Sequence, residues 1–155
     1  MHERHKLDEA SYFIERMRAE HDNRTAFRFE LSAFLGASRS VLQYALREAS
    51  TKPERRKWYD QALTRDPIFA FFKELRDDNI HTQPARPAAA FTTAESDYLE
   101  IDEETIIPYQ HTTTSIRHTF ADWKGNESVL ELVDRYLSAL RILVDEGIAK
   151  KMISG

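Results

Sequence analysis

The sequence has no cysteine, and this absence excludes disulfides, thiolate metal sites and cysteine nucleophiles together. Glycine is scarce, with four in 155 residues, and neither a P-loop nor a dinucleotide-binding fingerprint occurs. No apolar run approaches the about 18 residues that a transmembrane helix needs, and the polar N-terminus MHERHKLDEA does not resemble a signal peptide. We therefore expect a soluble, cytoplasmic protein that has no membrane association and needs no cofactor.

The length of 155 residues indicates a single domain that spans residues 1–155, since about 100–200 residues per domain is usual. A globule of this size buries roughly 70% of its unfolded surface and needs no covalent staples. The chain is therefore long enough to form one hydrophobic core.

The formal net charge of −4 argues against a general polyanion binder, but the charge is unevenly distributed. Residues 39–76 hold nine Lys/Arg and five Asp/Glu, whereas residues 77–135 hold four and twelve. This distribution indicates either a face for an anionic ligand beside an acidic region that recruits a partner, or two ordinary solvated surfaces.

Apolar residues recur at spacings of three and four along most of the chain, which predicts an all-α fold. The stripes lie at residues 7–17, 27–49, 58–63, 68–75 and 129–144. They predict an antiparallel bundle of about five helices, with Trp58 and Tyr59 in the core.

Polar residues mark where the later helices begin. Thr51 and Glu54 have the spacing of a capping box for the third helix. Asp66 and Pro67 have the residue types favoured at the cap and first turn of the fourth helix. Asn126 is expected to cap the last helix.

The helical period is lost at residues 82–97, which predicts an exposed connection. The segments YLEIDEETII and TTSIRHTF are rich in Thr, Ile and aromatics, with Pro108 between them. A small β-hairpin, or two short strands, with a break between them at Pro108, is therefore expected within residues 82–125, before the last helix. The acidic LEIDEE at 99–104 is either a charged strand edge or a polyanion mimic.

The stretch FFKELRDDNIHTQ at 71–83 contains the strongest candidate site, formed by Arg76, Asp77 and His81. Asp77 and His81 are four residues apart, so the carboxylate would orient the imidazole for acid–base catalysis. Arg76 offers a planar fork for a phosphate.

Arg76 and His81, however, lie about 140° apart around a helix. To act together, they require either that the helix ends between them or that a second copy supplies one of them. The competing interpretation is a solvated helix end, where a histidine is favoured by the helix dipole alone.

The long helix FELSAFLGASRSVLQYAL, a short Trp-bearing helix and then DPIFAFFKELRDDNIH resemble the HEPN family (higher eukaryotes and prokaryotes nucleotide-binding). The resemblance covers residues 25–83 and, loosely, the last helix. The family hallmark is an arginine, usually a polar residue, and a histidine four to six positions after the arginine. Arg76, Asp77 and His81 fit this pattern, whereas Arg16 and His21 share the spacing without the context.

The resemblance implies a helical homodimer that cleaves RNA without a metal at the dimer interface, as a toxin, defence or RNA-processing factor. A toxin would also have an antitoxin as a protein partner. Other members bind or assemble without cutting, so the alternative is a dimerisation and interaction module whose acidic residues 95–104 bind a partner. With no cysteine and no recognised metal-ligand spacing, the RNA 2′-hydroxyl is the expected nucleophile.

Further basic residues are candidates for RNA contacts. In KPERRKWY, at 52–59, cations adjoin aromatics, so Arg55, Arg56 and Lys57 are assigned to RNA binding together with Lys73. Arg39, beside the apolar stripe of the long helix, is interpreted as a snorkelling or internally paired side chain.

Histidines near the predicted hairpin provide the one candidate metal set. His111 and His118 are seven residues apart, with Glu103 and Glu104 upstream. Their spacing matches no recognised metal motif, so no metal site is expected.

Overall fold

Five α-helices and one antiparallel β-hairpin make up the described part of the computed structural model, residues 2–102 and 105–155. For residues 95–111 and 113 the structure describes no side chains. The elements in chain order are α1 (His2–Ala19), α2 (Arg24–Ala49), α3 (Pro53–Leu63), α4 (Ile68–His81), β1 (Ala88–Asp102), β2 (Thr105–Thr119) and α5 (Val129–Ala149). The predicted helical bundle with a hairpin before the last helix is confirmed.

All five predicted apolar stripes enter one hydrophobic core. At its centre, Phe34 of α2 contacts Phe72 of α4 edge-on, with ring centroids 6.1 Å apart. Phe72 in turn stacks on Tyr136 of α5 at 4.3 Å. Such aromatic pairs add about 0.5–1.5 kcal/mol beyond the burial of their area. Trp58 and Tyr59 are buried as predicted.

Two of the predicted helix caps are wrong. The Thr51 hydroxyl donates to the carbonyl of Glu48 at 2.7 Å, so it ends α2 and is not available to begin α3. Lys52 occupies the cap position of α3 without a side-chain hydrogen bond. Asn126 does not cap α5, because Ser128 does so in a capping box with Glu131.

The start of α4 agrees with the prediction in its chemistry and differs by one residue in its position. The Asp66 carboxylate accepts a hydrogen bond from the Ile68 N–H at 2.9 Å. The helix begins at Ile68 rather than at Pro67. Differences of one or two residues are usual at helix ends.

The hairpin is longer than predicted, with a register that pairs Ala88 with Thr119 and Asp102 with Thr105. The exposed connection therefore ends before residue 88, and the break expected at Pro108 is absent because Pro108 lies within β2, opposite Leu99. A two-stranded ribbon leaves one side of each strand without a backbone partner, so a proline is tolerated there. The side chains of LEIDEE lie outside the described residues.

The base of the hairpin is attached to the bundle by His118, which is 2% exposed. Its ring stacks on Phe27 of α2 at 4.0 Å, and its Nε2 lies 2.9 Å from the carbonyl oxygen of His21. None of the described helices has the length and hydrophobicity needed to cross a lipid bilayer.

Candidate functional site

Helix α4 is unbroken from Ile68 to His81. The backbone N–H of Thr82, its C-cap, donates to the carbonyl of Asp78. Arg76 and His81 therefore lie on the same regular helix, about 140° apart around its axis. The first of the two ways in which they could act together, a helix end between them, is excluded. A second copy of the chain is the way that remains.

Asp77 contacts Arg76 and not His81. Arg76 Nη1 donates to Asp77 Oδ1 at 3.0 Å. This hydrogen bond lowers the pKa of Asp77, and the positive charges of Arg39 and Lys73 contribute to the same shift. No hydrogen bond between described side chains joins Asp77 to His81, which is exposed. The expected contact between Asp77 and the imidazole is therefore not made, because the neighbouring guanidinium takes the carboxylate.

The last turn of α4 is tied to its surroundings by Asn79. Its side-chain amide donates to Ser32 Oγ of α2 at 2.9 Å. Its carbonyl oxygen accepts from the backbone N–H of Ala85 at 2.8 Å. One side chain thus links α4, α2 and the segment that leads into the hairpin, and it fixes the helix one turn beyond Arg76.

Two arginines of α2 point the same way as Ser32. Arg28 and Arg39 lie about 40° and 20° from Ser32 around the helix axis, on the side that faces α4. Both are half-buried, and the Nε of each is buried without a hydrogen-bond partner among the described residues. No described carboxylate pairs with either side chain. The internal pairing considered for Arg39 is therefore absent, and its partial burial fits a snorkelling side chain.

Arg39 and Lys73 lie close enough to the Arg76–Asp77 pair that their positive charges help to lower the pKa of the Asp77 carboxyl. The Arg76 side chain is 23% exposed, and its Nε is buried without a partner in the described part of the chain. Arg39, Lys73 and Arg76 thus bring three cationic side chains to the seam between α2 and α4. Such a site favours an anionic group such as a phosphate.

The other predicted RNA-binding residues have different surroundings. Arg56 Nε contacts both carboxylate oxygens of Asp60 at 2.9 Å. Burial raises the pKa of Glu48, but hydrogen bonds from Ser154 and nearby cations, among them Arg55, leave it lowered overall. Arg55 and Arg56 therefore each lie near a carboxylate, whereas Lys57 is exposed. Of the predicted set, Lys73 is the residue that the structure places beside Arg76.

Among the side chains that the structure describes, no group of three or more His, Asp or Glu residues is arranged to hold a metal ion. Of the candidate metal set, the side chains of His111, Glu103 and Glu104 lie outside the described residues. His118 is buried against Phe27, so its ring serves the attachment of the hairpin.

Large apolar side chains are exposed on both helices that form the candidate site. Phe29 of α2 is 71% exposed and Ile80 of α4 is 53% exposed. Ile80 lies only about 40° from Arg76 around α4. A Cβ placed at Gly36 of α2 would meet no atom within 4 Å, so the backbone is open to close approach there. These features describe a surface without a partner in the monomer, and we call it the α2/α4 face.

Comparison of this chain with family models, curated proteins and solved structures finds no match. The resemblance to the HEPN family stays a prediction that depends on residues 25–83 and on the arrangement of Arg76, Asp77 and His81.

Proposed function

We propose that this chain is a homodimeric endoribonuclease of the HEPN type, in which Arg76 of one subunit and His81 of the other act on the same phosphate. The observation that carries this proposal is the unbroken course of α4 through both residues. A single copy holds the two side chains on different sides of the helix. Two copies related by a two-fold axis at the α2/α4 face bring each arginine towards the other subunit's histidine.

The cations at the seam support a phosphate as the ligand. Arg76 is hydrogen-bonded to Asp77, and the charges of Arg39 and Lys73 act on the same carboxylate, so a bound phosphate would meet all three cations in its place. Arg28 adds a guanidinium without a described partner on the same side of α2. Nucleic-acid affinity arises largely from such contacts to the phosphate backbone.

The chemistry uses the substrate's own nucleophile. His81 takes the proton from the ribose 2′-hydroxyl, whose oxygen attacks the adjacent phosphorus as the bond to the 5′-oxygen breaks, and the protonated His81 then returns the proton, directly or through water, to the departing 5′-oxygen. Arg76 stabilises the charge that develops on the phosphate oxygens. The products are a 2′,3′-cyclic phosphate and a free 5′-hydroxyl, and the atoms balance without a metal or cofactor.

The exposed groups of the α2/α4 face support dimerisation. Phe29 and Ile80 are large apolar side chains in water, and exposed apolar patches of this kind commonly mark contact surfaces. Gly36 lets a second backbone approach closely. Light scattering should therefore report a dimer for the wild type and a shift towards monomer for Phe29→Ser combined with Ile80→Ser.

The function is tested by cleavage of structured and single-stranded RNA in the presence of EDTA. Wild type should cut and leave a 2′,3′-cyclic phosphate. His81→Ala should lose about 10²–10⁴-fold in rate, the usual worth of general acid–base catalysis. Arg76→Lys should also fail, because a point charge does not replace a two-pronged fork.

His5→Ala and Arg86→Lys are matched controls, since both residues are exposed, and they should cut like wild type. A His81→Ala protein that cuts at the wild-type rate ends the proposal.

The second candidate function is a dimerising interaction module without nuclease activity. The hydrogen bond from Arg76 to Asp77 favours it, because it neutralises the guanidinium inside the monomer. A wild-type protein that dimerises but cuts no RNA would establish this alternative. Growth arrest on expression of wild type, and not of His81→Ala, would instead indicate a toxin and an antitoxin partner.

A further inference from the structure

An open cavity of about 190 Å³ lies between α2, α3 and α4, next to the candidate site. Its walls are mostly apolar and come from Leu42, Leu63, Phe69 and Ala70. Arg39 and Lys73 bring positive charge to it, and no carboxylate lines it. The cavity therefore combines an apolar interior with two cations.

The size of the cavity suits one planar ring system. A dry apolar cavity of about 150 Å³ is enough to bind benzene. Phe69 offers an aromatic side chain within the cavity wall, and aromatic contacts to a base contribute about 1–3 kcal/mol regardless of base identity. A nucleobase fits this combination of volume and surface.

The cations fit the phosphate that accompanies a base. Arg39 has a buried Nε without a hydrogen-bond partner in the described structure. Lys73 is exposed and free to turn towards a ligand. Both cations help to lower the pKa of Asp77, whose carboxylate accepts a hydrogen bond from Arg76. The same two cations therefore lie at the cavity and near the candidate catalytic site.

The cavity extends along α4 away from the catalytic residues. Phe69 lies seven residues before Arg76, roughly 10 Å along the helix axis and only about 20° around it. Arg76 and the cavity therefore lie on the same side of α4, within reach of one RNA strand that runs along the helix.

We propose that this cavity binds the base of a nucleotide that flanks the cleaved bond, while Arg39 and Lys73 hold its phosphate. This inference rests on the proposed function, in which RNA is the substrate that is cut. It assigns to Arg39, Phe69 and Lys73 the positioning of the RNA and the preference for a base.

The experiment uses nucleoside 5′-monophosphates, which contain no bond for the enzyme to cut. Methyl NMR on wild type should show shifts of Leu42 and Leu63 signals on addition of the monophosphates. The methyls of Leu132 and Leu140, which do not line the cavity, serve as internal references. Ribose 5-phosphate lacks the base, so the stacking contribution is lost. An at least about 10-fold higher concentration of it should be needed to shift the Leu42 and Leu63 signals equally.

Two variants separate the base from the phosphate. Ala70→Trp fills the cavity and should weaken nucleotide binding about 10-fold or more. Ala90→Trp adds the same side chain at an exposed position of the hairpin, which does not line the cavity, and should leave binding unchanged. Lys73→Gln changes an exposed residue and should weaken nucleotide binding several-fold while sparing the uncharged nucleoside.

The outcomes distinguish this inference from the proposed function. Nucleotide shifts that survive Ala70→Trp, or that ribose 5-phosphate reproduces, overturn the cavity assignment. RNA cleavage by a protein that binds no mononucleotide at Leu42 and Leu63 also overturns it while leaving the nuclease in place. Nucleotide binding that Ala70→Trp abolishes, in a protein that cuts no RNA, supports the cavity and removes the nuclease.

Discussion

Arg76 and Asp77, neighbours in sequence, are joined through their side chains by a hydrogen bond of 3.0 Å from Nη1 to Oδ1. The bond lowers the pKa of Asp77, because it stabilises the charged form of the carboxyl. Asp77 therefore accepts a hydrogen bond from the guanidinium that would otherwise donate to a phosphate. Binding of RNA requires this carboxylate to be displaced or to share the arginine.

Asp77→Asn should tighten RNA binding several-fold, because the amide competes less well than a carboxylate for Arg76. The dependence of log Kd on log salt should also steepen by about 0.7, the value expected for one additional phosphate contact on a single strand. Fluorescence anisotropy at low and high salt measures both quantities, in a His81→Ala background that prevents cleavage.

Asp78→Asn is the matched control, since Asp78 is exposed and its substitution changes the net charge equally. The structure predicts that only Asp77→Asn steepens the salt dependence. Equal effects of the two substitutions would show that general charge, and not the contact with Arg76, controls the affinity.

Ser128→Ala should lower the free energy of unfolding by about 1 kcal/mol, because it removes the N-cap of α5. The Ser128 hydroxyl accepts from the Glu131 N–H at 3.3 Å, and the Glu131 carboxylate accepts from the Ser128 N–H at 2.6 Å. Asn126→Ala tests the position that the sequence suggested, and urea unfolding should show little change. A larger loss for Asn126→Ala than for Ser128→Ala would contradict the capping box.

Glu146 should make the stability of the bundle depend on acid pH. Hydrogen bonds from Arg65, Lys150 and Trp58 lower the pKa of this carboxyl to about 2 from an ordinary value of 4.5. A folded-state pKa below the unfolded one stabilises the protein above the unfolded value, and the contribution is lost as the pH falls from 4.5 towards 2. Glu146→Gln should therefore cost about 1 kcal/mol at neutral pH after allowance for solvent screening.

Urea unfolding of wild type and Glu146→Gln across this pH range measures the effect. The difference between the two proteins should shrink with acidification. Asp145→Asn is the control, since its partner Arg4 and the carboxylate are both largely exposed. A difference for Glu146→Gln that stays constant down to the acid limit would show that its network contributes no charge-dependent stability.

The helices could be predicted from the sequence because each has an apolar stripe with a helical period. Phe34, Phe72 and Tyr136 appear in three separate stripes and meet in the core. The spacing of the apolar residues does not determine the residue at which a helix begins or ends. Asn126 and Ser128 are both favoured cap residues, and only Ser128 has a glutamate three positions later, which was the signal for the correct cap.

The sequence predicted where the hairpin lies along the chain, but not how long its strands are. Its first residues, Ala88 to Ala90, show no alternation of polar and apolar side chains, so they carry no strand signal. Their conformation depends on pairing with Arg117, His118 and Thr119, about thirty residues away. A local pattern contains no information about such a partner.

The candidate site was recognised in part. Arg76 and His81 belong to a sequence motif, whereas Arg28 and Arg39 become candidates only when the structure shows that no described carboxylate pairs with them. Their spacing of eleven residues places them on one side of α2, three turns apart, which was the available signal. The contact between Arg76 and Asp77 depended on side-chain geometry that spacing alone does not determine.

The most direct test of a site shared between subunits mixes two inactive variants, Arg76→Ala and His81→Ala, after unfolding and refolding together. In a two-fold dimer, one of the two sites in each heterodimer combines the intact Arg76 of one subunit with the intact His81 of the other. Half of the dimers in an equal mixture are heterodimers, so RNA cleavage should return to about a quarter of the wild-type rate. If each subunit instead uses its own arginine and histidine, every site carries one substitution, and a mixture as inactive as its two components would contradict the account.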